Sequence, residues 1–182
     1  MLFRSVTVNY EGAFSQQAVS DFVVVYDPKG GFVTGGGWID SPPGAYTPND
    51  GTDPDVTGKA SFGFVAKYKR GQSVPDGNTN FRFKAGDLSF KSVDYEYLVI
   101  TGARARFKGR GEVNGGPGLY QFKITALDSD VNNNDAHVED SFRIQIWGDN
   151  GVLYDNGRGA DDATGDGGTT ALGGGSISIK DK

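Results

Sequence analysis

Acidic and amide side chains alternate along residues 128–139, which read DSDVNNNDAHVE. Alternation in an irregular segment can direct several side-chain oxygens at one centre, and calcium takes six to eight oxygen ligands in proteins. The segment fits the calcium-loop template D-x-[DN]-x-[DN]-G-x5-E over most of its length. The spacing therefore predicts a calcium site. Positions one, three, five, seven and twelve of the template fall on Asp128, Asp130, Asn132, Asn134 and Glu139.

The segment departs from the template at two positions. Asn133 stands where the template has glycine, and asparagine is the side chain that best tolerates the left-handed conformation of a sharp turn. Ala136 supplies no side-chain oxygen at the ninth position, so Asp135, Asp140 or a distant loop is expected to complete the ligand set. Both flanks look like strands and not helices, which leaves a solvated hairpin tip as the alternative interpretation.

Two further acidic patches occupy residues 50–55 and 161–166, among prolines and glycines. Neither patch alternates through its full length, so both are interpreted as solvated loops. A second calcium ion would be sought first at Asp155, next to a strand end, together with Asp161 and Asp162.

Exposed aromatic rings offer a different chemistry, because the apolar faces of sugars stack on them. Aromatic residues at alternating strand positions are nevertheless more often core residues. Carbohydrate binding is therefore the alternative hypothesis to a calcium-stabilised module, and a purely structural spacer is the third. The candidate stacking residues are Trp38, Tyr46, Trp147 and Tyr154.

Catalysis has little support in the sequence. His137 is the only histidine and lies inside the acidic segment, and no G-x-S-x-G precedes a helix. A pair of carboxylates for glycoside hydrolysis has no spacing rule and stays open. We expect a protein that is not an enzyme, with His137 in a solvated loop.

The composition argues against several classes of binding partner and site. A net charge of −5 argues against nucleic acid, which needs a basic face to release counterions. The absence of cysteine excludes disulfides and thiolate sites but leaves the compartment open. We find neither a signal peptide nor an apolar run of the length that spans a membrane, so no membrane insertion is expected.

The apolar pattern is that of short strands. Twenty-nine glycines and an aromatic content of 12% favour pleated strands joined by tight turns. Residues 59–70 alternate apolar and polar side chains, as a half-solvated antiparallel strand requires. We predict an all-β fold, an antiparallel β-sandwich of jelly-roll-like type. The predicted core contains Phe62, Phe64, Phe81, Phe83, Val99, Phe107, Phe122, Ile124, Phe142, Ile144 and Ile146.

Three consecutive glycines, Gly35, Gly36 and Gly37, precede Trp38. Glycine inside a strand marks a bulge or a close approach. We expect the glycines either to lie under the tryptophan ring or to bend the strand.

Several longer phrases carry a resemblance to a known family. They are GFVTGGGWIDSPPGAY at residues 31–46, GKASFGFVAKYKRG at 58–71 and FRFKAGDLSFKS at 81–92, with FRIQIW, VLYDN and ALGGGSI further on. The chain resembles a β module found near the C-terminal end of large secreted bacterial and archaeal proteins, after PKD-like or immunoglobulin-like repeats.

The resemblance implies two parts and an extracellular setting. Residues 1–29 would be the end of a preceding repeat or N-terminal strands, and residues 30–182 the module itself. The implied location is secreted or at the cell surface, with a non-enzymatic accessory or adhesion-linked role. Implied partners are the neighbouring domains of the parent protein, with a glycan or another cell-surface ligand as a further possibility.

Overall fold

The computed structural model describes residues 31–48, 55–131, 139–161 and 166–180. Within them the chain forms ten β-strands and two single-turn 3-10 helices, at Lys84–Gly86 and Ser129–Val131. In the described part of the chain, no helix has the length and apolarity that crossing a membrane requires. The strands are β1 (Phe32–Ser41), β2 (Gly58–Lys67), β3 (Asp76–Phe83), β4 (Leu88–Thr101), β5 (Arg104–Val113), β6 (Leu119–Leu127), β7 (Ser141–Gly148), β8 (Gly151–Asp155), β9 (Thr170–Ala171) and β10 (Gly174–Lys180).

The strands form one antiparallel sheet in the order β10-β1-β2-β3-β4-β5-β6-β7-β8, with the short β9 paired to β7. The predicted all-β, antiparallel fold is confirmed. The finer prediction, an antiparallel sandwich of jelly-roll-like type, is neither confirmed nor contradicted and stays a prediction. Consecutive strands are mostly neighbours in one hydrogen-bonded sheet.

The segment that follows β1 pairs with β8, the last strand of the sheet. The N–H of Thr47 donates to the carbonyl of Leu153 at 2.9 Å, and the N–H of Asp155 donates to the carbonyl of Ala45 at 2.7 Å. Tyr46 and Tyr154 form an antiparallel bridge between these segments. The sheet therefore curls until the chain after β1, the second strand in the order, reaches β8 at the far end.

Aromatic side chains fill the space that the curled sheet encloses. Phe62 of β2 stacks on Phe142 of β7, with ring centroids 3.9 Å apart and an interplanar angle of 1°. Phe64 packs against Phe107 at 5.3 Å, and Phe81 against Tyr154 at 4.7 Å. These pairs join strands that are distant in the sheet, so the core is built from contacts between opposite walls.

The predicted core is correct except for Val99. Val99 pairs with Arg106 on the outer face, while its neighbour Leu98 is buried against the core at 5% exposure. Residues 88–101 form one strand, β4, with register shifts at Ser92/Asp94 and Tyr95/Tyr97. The apolar run around Val99 does not reveal which of its residues faces inward, and bulges of this kind change the phase of the alternation.

The triple glycine lies in a regular part of β1, paired to β2 on one side and β10 on the other. The ring of Trp38 packs against Gly173 and Gly174 instead, where any Cβ would overlap the indole. The expected ring-over-glycine contact therefore exists, but with glycines distant in sequence.

Candidate functional site

Two carboxylates at the base of the predicted calcium loop bind the backbone of β10. Asp128, which is 5% exposed, accepts the N–H of Ile179 at 2.7 Å through Oδ2. Asp140 accepts the N–H of Ile177 at 2.6 Å through Oδ2. In an antiparallel strand alternate N–H groups point to the same side, so two residues spaced by two present donors along one edge. We call this pair, Asp128 and Asp140, the carboxylate clasp.

The clasp also ties the loop to itself. Asp140 accepts the N–H of Ser129 at 2.9 Å and its hydroxyl at 3.0 Å, both through Oδ1. Asp128 accepts the N–H of Asp130 at 3.1 Å through Oδ1. All four carboxylate oxygens of the clasp thus accept hydrogen bonds from the chain. Strand β10 gains on this edge the acceptors that a neighbouring strand would otherwise supply.

The structure describes only some of the other predicted calcium ligands. Asp130 and Glu139 are exposed. Asn132, Asn134 and Asp135 lie outside the described residues, as does His137. Within the described ranges, no group of three or more histidine or acidic side chains is placed to hold a metal ion. The calcium site stays a prediction.

A buried ion pair, absent from the sequence predictions, lies behind β7. The guanidinium of Arg143, which is 1% exposed, binds both oxygens of Asp155, from Nε at 2.8 Å and from Nη2 at 2.9 Å. Its Nη1 donates to the carbonyls of Ala160 at 2.9 Å and Gly167 at 2.6 Å. The carbonyls of Ala160 and Gly167 are thereby held over β7.

Asp155 was a candidate for a second calcium ion, and the structure gives it another role. Besides Arg143, it accepts the N–H groups of Gly157 at 2.9 Å and Gly159 at 2.8 Å. Burial alone would raise the pKa of the Asp155 carboxyl, but the bonds from Arg143, Gly159 and Gly157 hold that pKa below its usual value. The charged form is therefore the one that the fold stabilises. Asp161 is exposed, and Asp162 lies outside the described residues.

Asn156 extends the same cluster into the sheet. Its Oδ1 accepts the N–H of Ile144 at 2.8 Å, and its Nδ2 donates to the carbonyl of Phe142 at 2.9 Å. One side-chain amide thus pairs with β7 as a strand would, between the positions where β8 and β9 pair with it. The sequence contains one signal of this cluster, the charged Arg143 inside an apolar run.

Two of the four candidate stacking residues lie in the core. Tyr154 is fully buried and donates to the hydroxyl of Ser41 at 3.0 Å, and burial raises the pKa of its phenol. Tyr46 is 6% exposed and packs edge-on against Phe83 at 5.9 Å. These rings fill the interior and do not offer a face to solvent.

The two tryptophans are half-buried. The Nζ of Lys59 lies 4.3 Å from the centroid of the Trp38 ring, and Gly173 packs against that indole. Trp147 has the Nζ of Lys108 at 6.0 Å from its centroid. A sugar could stack on Trp38 only after Lys59 moved, because the ammonium group already covers the ring.

Comparison with known proteins identifies no relative: no family model, no curated protein and no solved structure matches the chain.

Proposed function

We propose that this chain is a non-catalytic module of an extracellular protein, in which acidic residues hold the fold together. The carboxylate clasp carries the proposal. Asp128 and Asp140 lie at the two ends of the most acidic loop, and both are used to accept backbone N–H groups. A carboxylate held in this way is poorly suited to act as a nucleophile or general base, because each of its oxygens already accepts a hydrogen bond from the chain.

The buried ion pair supports the same proposal. Arg143 and Asp155 satisfy each other and the surrounding backbone, which makes them part of the scaffold. The extracellular setting is proposed from the resemblance of residues 31–46, 58–71 and 81–92 to modules of large secreted proteins. There the module would cap or display the end of its parent, with the neighbouring domains as partners.

A test for catalysis follows from the exposed acid at the loop. We expect no hydrolysis when the protein is incubated with a panel of glycosides and peptides, because the carboxylates of the clasp and of the buried ion pair are held by hydrogen bonds within the fold. Hydrolysis by the wild type that disappears in Glu139→Gln would contradict the non-catalytic assignment. Asp149→Asn, at another exposed acid, serves as the matched control.

Calcium remains part of the proposal as an additional stabiliser. The clasp oxygens already accept hydrogen bonds, so the residues that fit an ion best are the exposed Asp130 and Glu139, together with Asn132 and Asn134. Calcium, if bound, would supply charge neutralisation between these acids. It would not be needed for the clasp itself.

Thermal unfolding in calcium and in chelator tests this part. A ligand that binds only the folded state stabilises it, by about 2.7 kcal/mol when its concentration is a hundred times Kd. We expect the melting temperature to rise in calcium for the wild type but not for the double variant Asp130→Asn/Glu139→Gln. Magnesium is the matched control ion. An unchanged midpoint in saturating calcium would remove the metal and leave the clasp intact.

Carbohydrate binding is the second candidate function. The burial of Tyr46 and Tyr154 removes two of its predicted residues. A groove on the outer face of the sheet favours it instead.

A further inference from the structure

A cross-strand row of small and polar residues runs across the outer face of the sheet. Each member is paired in register with the next, from β10 through β1, β2, β3 and β4 to β5. Since neighbouring strands lie about 4.8 Å apart, the row is about 24 Å long. Its members are Ser176, Gly36, Gly63, Asn80, Lys91 and Glu112.

The two glycines of the row are not required by the fold. A Cβ at Gly63 would meet nothing within 4 Å, and a Cβ at Gly36 would meet only the carbonyl of Phe62 at an ordinary 3.7 Å. Neither backbone lies in the left-handed region. By contrast, a Cβ at Gly35 would come within 2.7 Å of the Phe64 ring. Glycine weakens a strand interior, and its use there often marks the close approach of a ligand.

Polar side chains lie around Gly63. Together they line an open groove of about 420 Å³ that crosses β2, β3, β4 and β5, with Gly63 in its floor. Within the described part of the chain, no hydrogen bond or ion pair engages the side chains of Arg82, Lys91 and Glu112, all of which are exposed. The groove is lined at its polar positions by Ser61, Asn80, Arg82, Ser89, Lys91 and Glu112.

The chemistry of the walls selects the ligand. The floor belongs to interior strands whose backbone groups are already paired, so a peptide cannot add to the sheet here. Amide, carboxylate and guanidinium groups beside an open floor suit the hydroxyls of a flat sugar ring. The guanidinium of Arg82 also matches a carboxylate in bidentate geometry. The groove thus has two cationic side chains, Arg82 and Lys91, and one anionic side chain, Glu112, although the net charge of the chain is −5.

We propose that this groove binds an acidic oligosaccharide of the uronate class, lying across strands β2–β5. One ring rests over Gly63, and the carboxylates face Arg82 and Lys91. The site rests on carbohydrate binding, the second candidate function, which it deepens by naming the class of sugar, and it uses none of the aromatic residues that the sequence suggested.

Titration with oligogalacturonate, followed by amide chemical shifts and calorimetry on the whole chain, tests the site. We expect shift changes centred on Gly63, Asn80 and Lys91, and weaker binding to the methyl-esterified, neutral form of the same sugar. Gly63→Val places a side chain in the open space over Gly63, and Arg82→Ala removes the guanidinium group. Each should lower affinity at least tenfold without lowering the melting temperature, whereas Lys180→Ala, an exposed cation outside the groove, should bind as the wild type does.

Four results would overturn the proposal: no binding, shift changes centred elsewhere, equal affinity for the neutral sugar, or full affinity in Arg82→Ala. The last comparison stands even if Gly63→Val folds poorly, since the Arg82 side chain is exposed and makes no hydrogen bond or ion pair within the described residues. None of these results bears on the carboxylate clasp, which is measured separately.

Discussion

Arg143 and Asp155 form a bidentate ion pair on the outer side of β7, covered by the backbone of residues 157–161 and of Gly167. Both side chains of the pair are buried: that of Arg143 is 1% exposed and that of Asp155 is 6% exposed. Gly157 approaches the guanidinium so closely that any Cβ there would overlap it. The covering segment and the pair therefore depend on each other.

Removing one partner should be costly, because it leaves the other charge buried and uncompensated. We expect Asp155→Ala to lower the free energy of unfolding by about 3–5 kcal/mol. Arg143→Met should cost a similar amount, and the double variant less than the sum of the two. Denaturant unfolding of the three variants measures this coupling.

The exposed pair Arg110–Asp94 is the matched control for that cycle, with side-chain exposures of 46% and 37%. Its removal should change stability by less than about 1 kcal/mol. Additive effects of the Arg143 and Asp155 variants would show that the buried pair does not act as a unit.

Acid should weaken the protein through the same carboxylate. The folded pKa of Asp155 lies below its unfolded value of about 3.9, so its contribution is present above that pH. The contribution is lost as the pH falls through the folded pKa. In urea unfolding between neutral pH and strong acid, the stability gap between wild type and Asp155→Asn should narrow below about pH 4. A gap that stays constant into strong acid would contradict this assignment.

The sequence predicts the parts of the fold that repeat with period two. Alternation identifies the inward residues of β2, β6 and β7, because each side chain's face follows from its neighbours. It fails at Val99, where two bulges interrupt β4. It also cannot show that the segment after β1 meets β8, since that contact joins Tyr46 and Tyr154, distant in the chain.

The polar clusters are less accessible to sequence reasoning for a physical reason. Acidic residues at loop positions look alike whether they hold a metal, accept backbone N–H groups or face water. The role of Asp128 is decided by Ile179 of β10, which lies 51 residues away in the chain. Likewise, Gly63 becomes part of a groove floor only once β2 and β3 are in register and place Asn80 beside it.

Replacement by alanine should change the stability in opposite directions at Gly173 and Gly63. At Gly173, a Cβ overlaps the ring of Trp38, and overpacking typically costs about 1–3 kcal/mol. At Gly63 the space is open, so Gly63→Ala should be neutral or stabilise by up to about 1 kcal/mol. Tryptophan fluorescence in a Trp147→Phe background should shift to the red in Gly173→Ala only. Equal stability of the two alanine variants would contradict the packing described for Trp38.

Hydrogen exchange at the amides of Ile177 and Ile179 tests the carboxylate clasp, and with it the structural role of the acidic loop, most directly. Both amides should be protected in the wild type in chelator as well as in calcium, since Asp140 and Asp128 accept them without a metal. Asp140→Ala should lose protection first at Ile177, and Asp128→Ala first at Ile179, with about 1–3 kcal/mol of stability lost in each. Asp130→Ala, at an exposed acid of the same loop, should keep both amides protected. Fast exchange of both amides in the chelated wild type, or protection that survives both clasp substitutions, would contradict the account.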